Sequence, residues 1–192
     1  MNTVNAEALK PRRGLAGMVD RLAGPGATPV ELLLQFAVAF AAAAAAGVWY
    51  LRTTDSRPWL AAIAIVLGFD LAGGVVTNAT ASAKRWFHRE GQGFAQHLGF
   101  IAVHILHLVV IAFVVFPASW HYFGVASGIL IGGALVILLS PPALTRPIAL
   151  AVFAIVIVVH RGVLPVPTGL EWFTPIFFLK LFVSHLVPEG AE

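Results

Sequence analysis

The sequence predicts an all-α integral membrane protein, a polytopic bundle of about six transmembrane helices, and three observations lead to that fold class. First, 59% of the 192 residues are hydrophobic and only 11% are charged, whereas about a quarter of the residues in a soluble domain are charged. Second, six apolar runs follow one another, and a helix needs about 20 apolar residues to cross a bilayer. Third, proline, glycine and tryptophan lie where these runs begin or end, as is typical of membrane helices.

The six apolar runs define the predicted spans. They cover residues 31–51, 58–83, 94–116, 122–139, 147–163 and 170–187. Pro58 and Trp59 open the second run with a helix-starting proline and an interfacial aromatic ring, and Pro117 follows the third run. Pro175 lies inside the sixth run, so we expect that helix to start or to kink there.

The chain is predicted to divide into three parts. A cytoplasmic N-terminal tail covers residues 1–29, the helix bundle covers residues 30–187, and a short C-terminal tail covers residues 188–192. The first long apolar run starts only after Val30, and a secretory signal needs its apolar core earlier, so we expect the N-terminal tail to remain uncleaved. A short amphipathic helix around residues 15–22 is one option within this tail.

The basic residues of the loops indicate an N-in/C-in orientation. Cytoplasmic loops of membrane proteins are enriched in lysine and arginine. With both termini inside, the cytoplasmic segments hold Lys10, Arg12, Arg13, Arg21, Lys84, Arg85, Arg89 and Arg146, and the outer loops hold Arg52, Arg57 and Arg161. We therefore expect a multi-pass protein of the cell membrane.

Composition also limits the chemistry and the partners. The chain has no cysteine, which excludes disulfides, thiolate metal ligands and cysteine nucleophiles. The formal charge is +3, but the basic residues are scattered at helix ends, so we expect membrane lipids and no nucleic acid as partners. The alanines at residues 41–46 and the Gly128–Gly132 pair form small-residue faces that would allow a homo-oligomer. The alanines are explained equally well as helix-forming residues without a specific packing role.

The functional hypothesis centres on residues 70–107, where polar side chains interrupt two apolar runs and fill the turn between them. They include Asp70, Thr77, Asn78, Lys84, Arg85, His88, Arg89, Glu90, His97, His104 and His107. An ionisable group at membrane depth costs at least a few kcal/mol unless it is paired or hydrated, and such groups commonly mark functional sites. The sequence therefore predicts a functional site inside this helical hairpin.

Helical geometry predicts that these side chains converge. At 100° per residue, His97 and His104 lie about 20° apart on the third helix, and His107 lies about 60° further round. The second and third helices are joined by a short turn and should be antiparallel neighbours. We therefore expect Asp70 to lie level with His104 or His107.

The sixth helix also carries Lys180 and His185. Lys180 should match the depth of Asp70, and a buried pair of the two would neutralise both charges. His185 should match the depth of His97 near the cytoplasmic end. About 140° separates Lys180 from His185 on an α-helix, so we expect only one of them to face the site.

The first functional hypothesis is a metal-dependent membrane enzyme, a hydrolase acting on a lipid or another hydrophobic substrate at the cytoplasmic leaflet. Imidazole and carboxylate ligands suit zinc, iron or manganese. In this hypothesis the metal ligands are His97, His104, His107 and His185, the catalytic groups are Asp70 as acid or base and Asn78 as charge stabiliser, and the substrate headgroup is bound by Lys84, Arg85, His88 and Arg89.

Two alternatives remain open. A proton- or cation-coupled transporter or channel would use Asp70 and the histidines as a relay. A non-catalytic packing or interaction subunit would use the same polar side chains only for hydrogen bonds between helices. The halves of the chain at residues 30–117 and 122–187 show no recognisable inverted repeat, which argues slightly against a transporter.

Overall fold

The computed structural model of the protein is a helical bundle, and no β-strand occurs among the residues that it describes, which are 10–54, 57–116 and 118–189. The α-helices in chain order are α1 Gly14–Ala23, α2 Pro29–Thr53, α3 Leu60–Ala79, α4 Ala81–Phe87, α5 Phe94–Val103, α6 Ile105–Val110, α7 Trp120–Leu138, α8 Thr145–Val163 and α9 Phe173–Phe178. The ends of the predicted N- and C-terminal tails, residues 1–9 and 190–192, lie outside the described part.

Five helical segments are long and apolar enough to cross a membrane, which confirms the predicted fold class. They are Pro29–Thr53, Leu60–Ala79, Phe94–Val115, Trp120–Leu138 and Pro142–Val163. The third of these, hereafter the third span, combines α5, α6 and a π-helical turn at Ile111–Val115.

The sixth predicted span is shorter than expected. Its helix, hereafter the terminal helix, runs only from Phe173 to His185, about 20 Å at 1.5 Å per residue against a hydrocarbon core of about 30 Å. The apolar run starts at residue 170, but turns occupy residues 167–172, where Gly169 has a positive φ of 89°. Pro175 therefore lies in the first turn of this helix, one of the two positions that the sequence allowed for it.

The second predicted span ends earlier than expected. Helix α3 stops at Ala79 because Thr80 takes an extended conformation, with φ −76° and ψ 150°. The Thr80 hydroxyl accepts a hydrogen bond from the Ala83 amide at 3.4 Å and so caps a separate short helix, α4. The break lets α4 turn across the predicted cytoplasmic end of the bundle.

Small residues close the contact between α2 and α3. A Cβ on Gly68 would lie 2.9 Å from the Ala42 carbonyl oxygen, and one on Gly73 would lie 2.7 Å from Ala39 Cβ. The small-residue face of α2 is therefore used for packing within the chain. On α7, by contrast, a Cβ on Gly128 or Gly132 would meet nothing within 4 Å among the described residues, and the predicted homo-oligomer remains a prediction.

The terminal helix lies in the centre of the bundle. Its four phenylalanines, Phe173, Phe177, Phe178 and Phe182, are all less than 2% exposed. Residues 179–185 form a π-helix, in which the hydrogen bonds run from residue i to residue i+5, a geometry found frequently at functional sites. This helix carries Lys180 and His185 into the bundle.

Candidate functional site

An ionic contact of three side chains joins α3, the third span and the terminal helix. Lys180 Nζ lies 2.7 Å from Asp70 Oδ2, and His107 Nε2 lies 3.0 Å from the same oxygen. The Lys180 side chain is 4% exposed, whereas the Asp70 side chain is 43% exposed. The expected Lys180–Asp70 pair is thus present, with a buried cation and a more accessible carboxylate.

Lys180 and His185 both lie inside the bundle, so the expectation that only one of them would face the site is wrong. Lys180 is 4% exposed and His185 is 2% exposed. The reason is the π-helical backbone, because pairing of residue i with residue i+5 brings two residues five positions apart onto one side of the helix. The 140° separation applies only to an α-helix.

A second polar group lies nearer the predicted cytoplasmic end. This rim group consists of His88, His97 and His185. His97 Nδ1 lies 3.2 Å from His185 Nε2, and the rings of His88 and His97 have centroids 4.5 Å apart. His88 donates from Nε2 to the His185 carbonyl at 2.9 Å, and burial, with the nearby His97 and Lys84 as further causes, lowers the pKa of His88 to about 4.

Phe100 separates the rim group from the deeper polar residues. Its ring stacks on His185 with centroids 3.7 Å apart and lies 4.6 Å from the His104 ring. His104 in turn stacks on His107 at 5.1 Å, and its Nδ1 donates to the Phe100 carbonyl at 2.8 Å. Asp70, His104, His107 and Lys180 therefore form a deep group of their own.

The four predicted metal ligands do not converge on one centre. His97 and His185 belong to the rim group, and His104 and His107 belong to the deep group, with Phe100 between them. Within the described ranges, no set of three or more histidine, aspartate or glutamate side chains is arranged to hold a metal ion. The sequence predicted the depth of these histidines but not the aromatic ring that divides them.

A cavity of about 250 Å³ opens beside the deep group; we call it the inner cavity. Its polar lining comprises Gln35, Asp70, Thr77, Asn78, His104 and Lys180, and its apolar lining includes Val19, Leu22, Phe36, Phe69, Phe87 and Phe100. The predicted catalytic residue Asn78 thus shares a cavity with Asp70. The Asn78 side chain is 5% exposed.

A larger cavity of about 750 Å³, the outer cavity, lies beside the middle of α3. Its walls are formed largely by small side chains of α2 and α3, and its mouth carries Trp49, Arg161, Glu171 and Trp172. Trp49 Nε1 donates to Glu171 at 3.1 Å. The outer cavity meets α3 at Gly68 and Ala72, and the inner cavity meets it at Asp70, Gly73 and Gly74.

The turn residues that were predicted to bind a headgroup have different environments. Lys84 is 8% exposed, and its ammonium donates to the carbonyls of Ser184 and Val187 at the end of the terminal helix. Arg89 lies over the Trp86 ring at 3.6 Å, and Arg85 is exposed. Lys84 therefore holds the terminal helix against α4 instead of pointing to the surface.

Sequence analysis missed Gln35. Its side chain is 4% exposed, its Oε1 accepts from Thr77 Oγ1 at 3.1 Å, and its Nε2 is buried without a partner among the described residues. The available signal was a single uncharged polar residue inside the otherwise apolar run at 31–51.

Comparison of the chain with protein-family models, with curated proteins and with solved structures finds no match.

Proposed function

We propose that this multi-pass protein is a proton-coupled transporter of the cell membrane, in which Asp70 takes up and releases the proton. The observation that carries the proposal is the contact of Asp70 with Lys180 and His107 inside a bundle of apolar helices. Ionisable groups at membrane depth mark proton relays and ion pathways. Here all three partners of the contact are titratable.

The unequal exposure of the ion pair supports this role. Lys180 is buried at 4% exposure and supplies a fixed positive charge, whereas Asp70 is 43% exposed and lines the inner cavity. A proton that reaches Asp70 breaks the ion pair, because a neutral carboxyl no longer balances the ammonium. The contact can therefore exist in two charge states that favour different helix positions.

The two cavities support transport rather than packing alone. The inner and outer cavities meet α3 within one turn of each other, with Asp70 and Lys180 on the inner side. Gly74 lies directly against Lys180, since a Cβ there would lie 2.4 Å from Lys180 Cε. A small shift of the terminal helix relative to α3 would therefore change the contact of Lys180 with Asp70, and alternating access uses helix movements of this kind.

Proton flux into liposomes tests the proposal. Purified wild-type protein is reconstituted with an internal pH-sensitive dye, and an inward proton gradient is applied. We expect Asp70→Asn to lower the flux at least tenfold, because its amide cannot carry the proton, whereas Glu90→Gln should match wild type because Glu90 is exposed on the turn after α4. Wild-type flux no faster than that of protein-free liposomes, or full flux in Asp70→Asn, would contradict the proposal.

A metal-dependent hydrolase is the second candidate, and one observation favours it. The facing nitrogens of His97 and His185 are 3.2 Å apart, close to the roughly 3.3 Å between two ligands of a tetrahedral zinc ion. These two donors fall short of the three that a catalytic site uses. Elemental analysis of the purified protein separates the candidates: about one zinc, iron or manganese per chain, lost in His97→Ala, would favour the hydrolase.

A further inference from the structure

We propose that the inner cavity binds a single-chain amphiphile from the cytoplasmic leaflet, with an uncharged hydrogen-bonding head beside Asp70 and Gln35 and its alkyl chain leaving past Leu22, Phe36 and Phe69. The claim that this amphiphile is the transported substrate rests on the proposed function. The claim that the inner cavity binds it rests on the geometry of the cavity alone.

The polar end of the inner cavity holds a donor and an acceptor that no side chain or backbone group of the described residues uses. Gln35 Nε2 is buried without a partner among the described residues. Both contacts of Asp70 go to Oδ2, from Lys180 and His107, so Oδ1 remains as an acceptor. A buried amide without a partner costs free energy that a ligand oxygen would recover.

The charge balance of the cavity favours an uncharged head. Asp70 faces the ammonium of Lys180 from the terminal helix and the imidazoles of His104 and His107 from the third span, and α2 contributes the neutral Gln35. The Asp70–Lys180 pair is neutral as a unit. A charged head would lose its hydration without a counter-charge to compensate it, whereas a hydroxyl both donates and accepts.

The opposite end of the cavity is apolar and open. Leu22 is 66% exposed and Phe36 is 39% exposed, and the half-buried Phe69 also lines the cavity. These residues belong to α1 and to two membrane-spanning helices. An opening lined in this way faces acyl chains rather than water.

Helix α1 locates the opening at the predicted cytoplasmic leaflet. Its outward stripe is apolar, with Leu15 82%, Met18 58% and Leu22 66% exposed, and Arg21 lies exposed beside the stripe. An amphipathic helix of this kind lies in the membrane interface. The lipid-facing stripe continues into the cavity through Leu22 and Val19, which gives an amphiphile in the leaflet direct access.

Photoaffinity labelling in lipid nanodiscs tests the proposal on the full chain. The probe is a 16-carbon alcohol with a diazirine in its chain, and a lysophosphatidic acid with the same chain is the comparison with a charged lysophospholipid head. We expect the alcohol to label Leu22, Phe36 or Phe69 in preference to the lipid-facing Leu33 and Leu34 on α2. The lysophospholipid should label these lining residues weakly.

Two variants at Gln35 show whether its amide binds the head. Gln35→Leu removes the donor, and Gln35→Glu removes it with little change in shape while keeping an acceptor for Thr77. We expect each to reduce labelling about tenfold, as loss of one hydrogen bond implies, and Gln92→Leu, in the turn before α5, to leave it unchanged. If Gln35→Leu does not fold, the labelling of Gln35→Glu alone tests whether the Gln35 amide binds the head.

Three results would overturn the amphiphile site: equal labelling of Leu33, Leu34 and the lining residues, unchanged labelling in both Gln35 variants, or equally strong labelling by the lysophospholipid. None of these measurements uses a proton gradient. Specific labelling in a protein without proton flux would therefore reject the transporter and keep the site, whereas flux without specific labelling would reject the site and keep the transporter.

Discussion

Asp70→Leu is expected to lower the free energy of unfolding by about 3–5 kcal/mol, because it leaves the ammonium of Lys180 buried without its counter-charge. Lys180 is 4% exposed and Asp70 Oδ2 is 2.7 Å from its Nζ. Lys180→Met should cost much less, since the Asp70 side chain is 43% exposed and still accepts from His107. The measurement is thermal or denaturant unfolding in one detergent.

The double variant Asp70→Leu/Lys180→Met provides the control. A well-packed apolar pair in place of a buried ion pair is often neutral or stabilising, so the double variant should recover most of the stability lost in Asp70→Leu and still carry no proton flux. No recovery in the double variant would show that Lys180 and Asp70 do not act as a pair. Equal losses in the two single variants would contradict the stronger dependence of the buried Lys180 on its partner.

Lys84→Met is expected to destabilise the protein by about 2 kcal/mol through detachment of the terminal helix from α4. The Lys84 ammonium donates to the carbonyls of Ser184 and Val187, and hydrogen bonds from charged groups contribute about 1.5–3 kcal/mol. Arg85→Met is the matched control, because Arg85 is the exposed neighbour on the same helix. Equal stability of the two variants would contradict the role of Lys84 as an anchor.

The pH dependence gives a second readout for Lys84. Burial lowers the pKa of Lys84 from 10.5 to about 8, so between these values the unfolded chain holds a proton that the folded chain has released. Stability should therefore rise as pH increases from about 8 towards 10.5. This positive slope should be smaller in Lys84→Met and unchanged in Arg85→Met.

The fold class and the depth of the polar residues along the membrane-spanning helices could be predicted from the sequence. Apolar runs and the rise per residue placed Asp70 level with His104 or His107 and with Lys180, and His97 level with His185. The contacts of Asp70 with His107 and Lys180, and of His97 with His185, are present. Depth follows from counting residues, so it needs no knowledge of how the helices pack. The length of the sixth span was overestimated because hydropathy does not distinguish apolar turns from helix.

The rotation of the side chains could not be derived in the same way. The π-helical hydrogen bonds that turn both Lys180 and His185 inward have no signature in an apolar run. The position of Phe100 between the two histidine groups depends on packing of three helices. Gln35 became visible only when the contact of α2 with α3 placed it against Thr77.

The central claim is that Asp70 exchanges a proton, and infrared difference spectroscopy of the reconstituted protein measures this directly. A pH decrease should produce the C=O stretching band of a protonated carboxylic acid in the wild type. The component of that band due to Asp70 should be absent in Asp70→Asn, shifted in pH midpoint in Lys180→Met, and retained in Glu90→Gln, whereas the other acidic residues of the chain contribute to every spectrum. Identical carboxylic acid bands in the wild type and in Asp70→Asn at every pH where the protein remains folded would contradict the account.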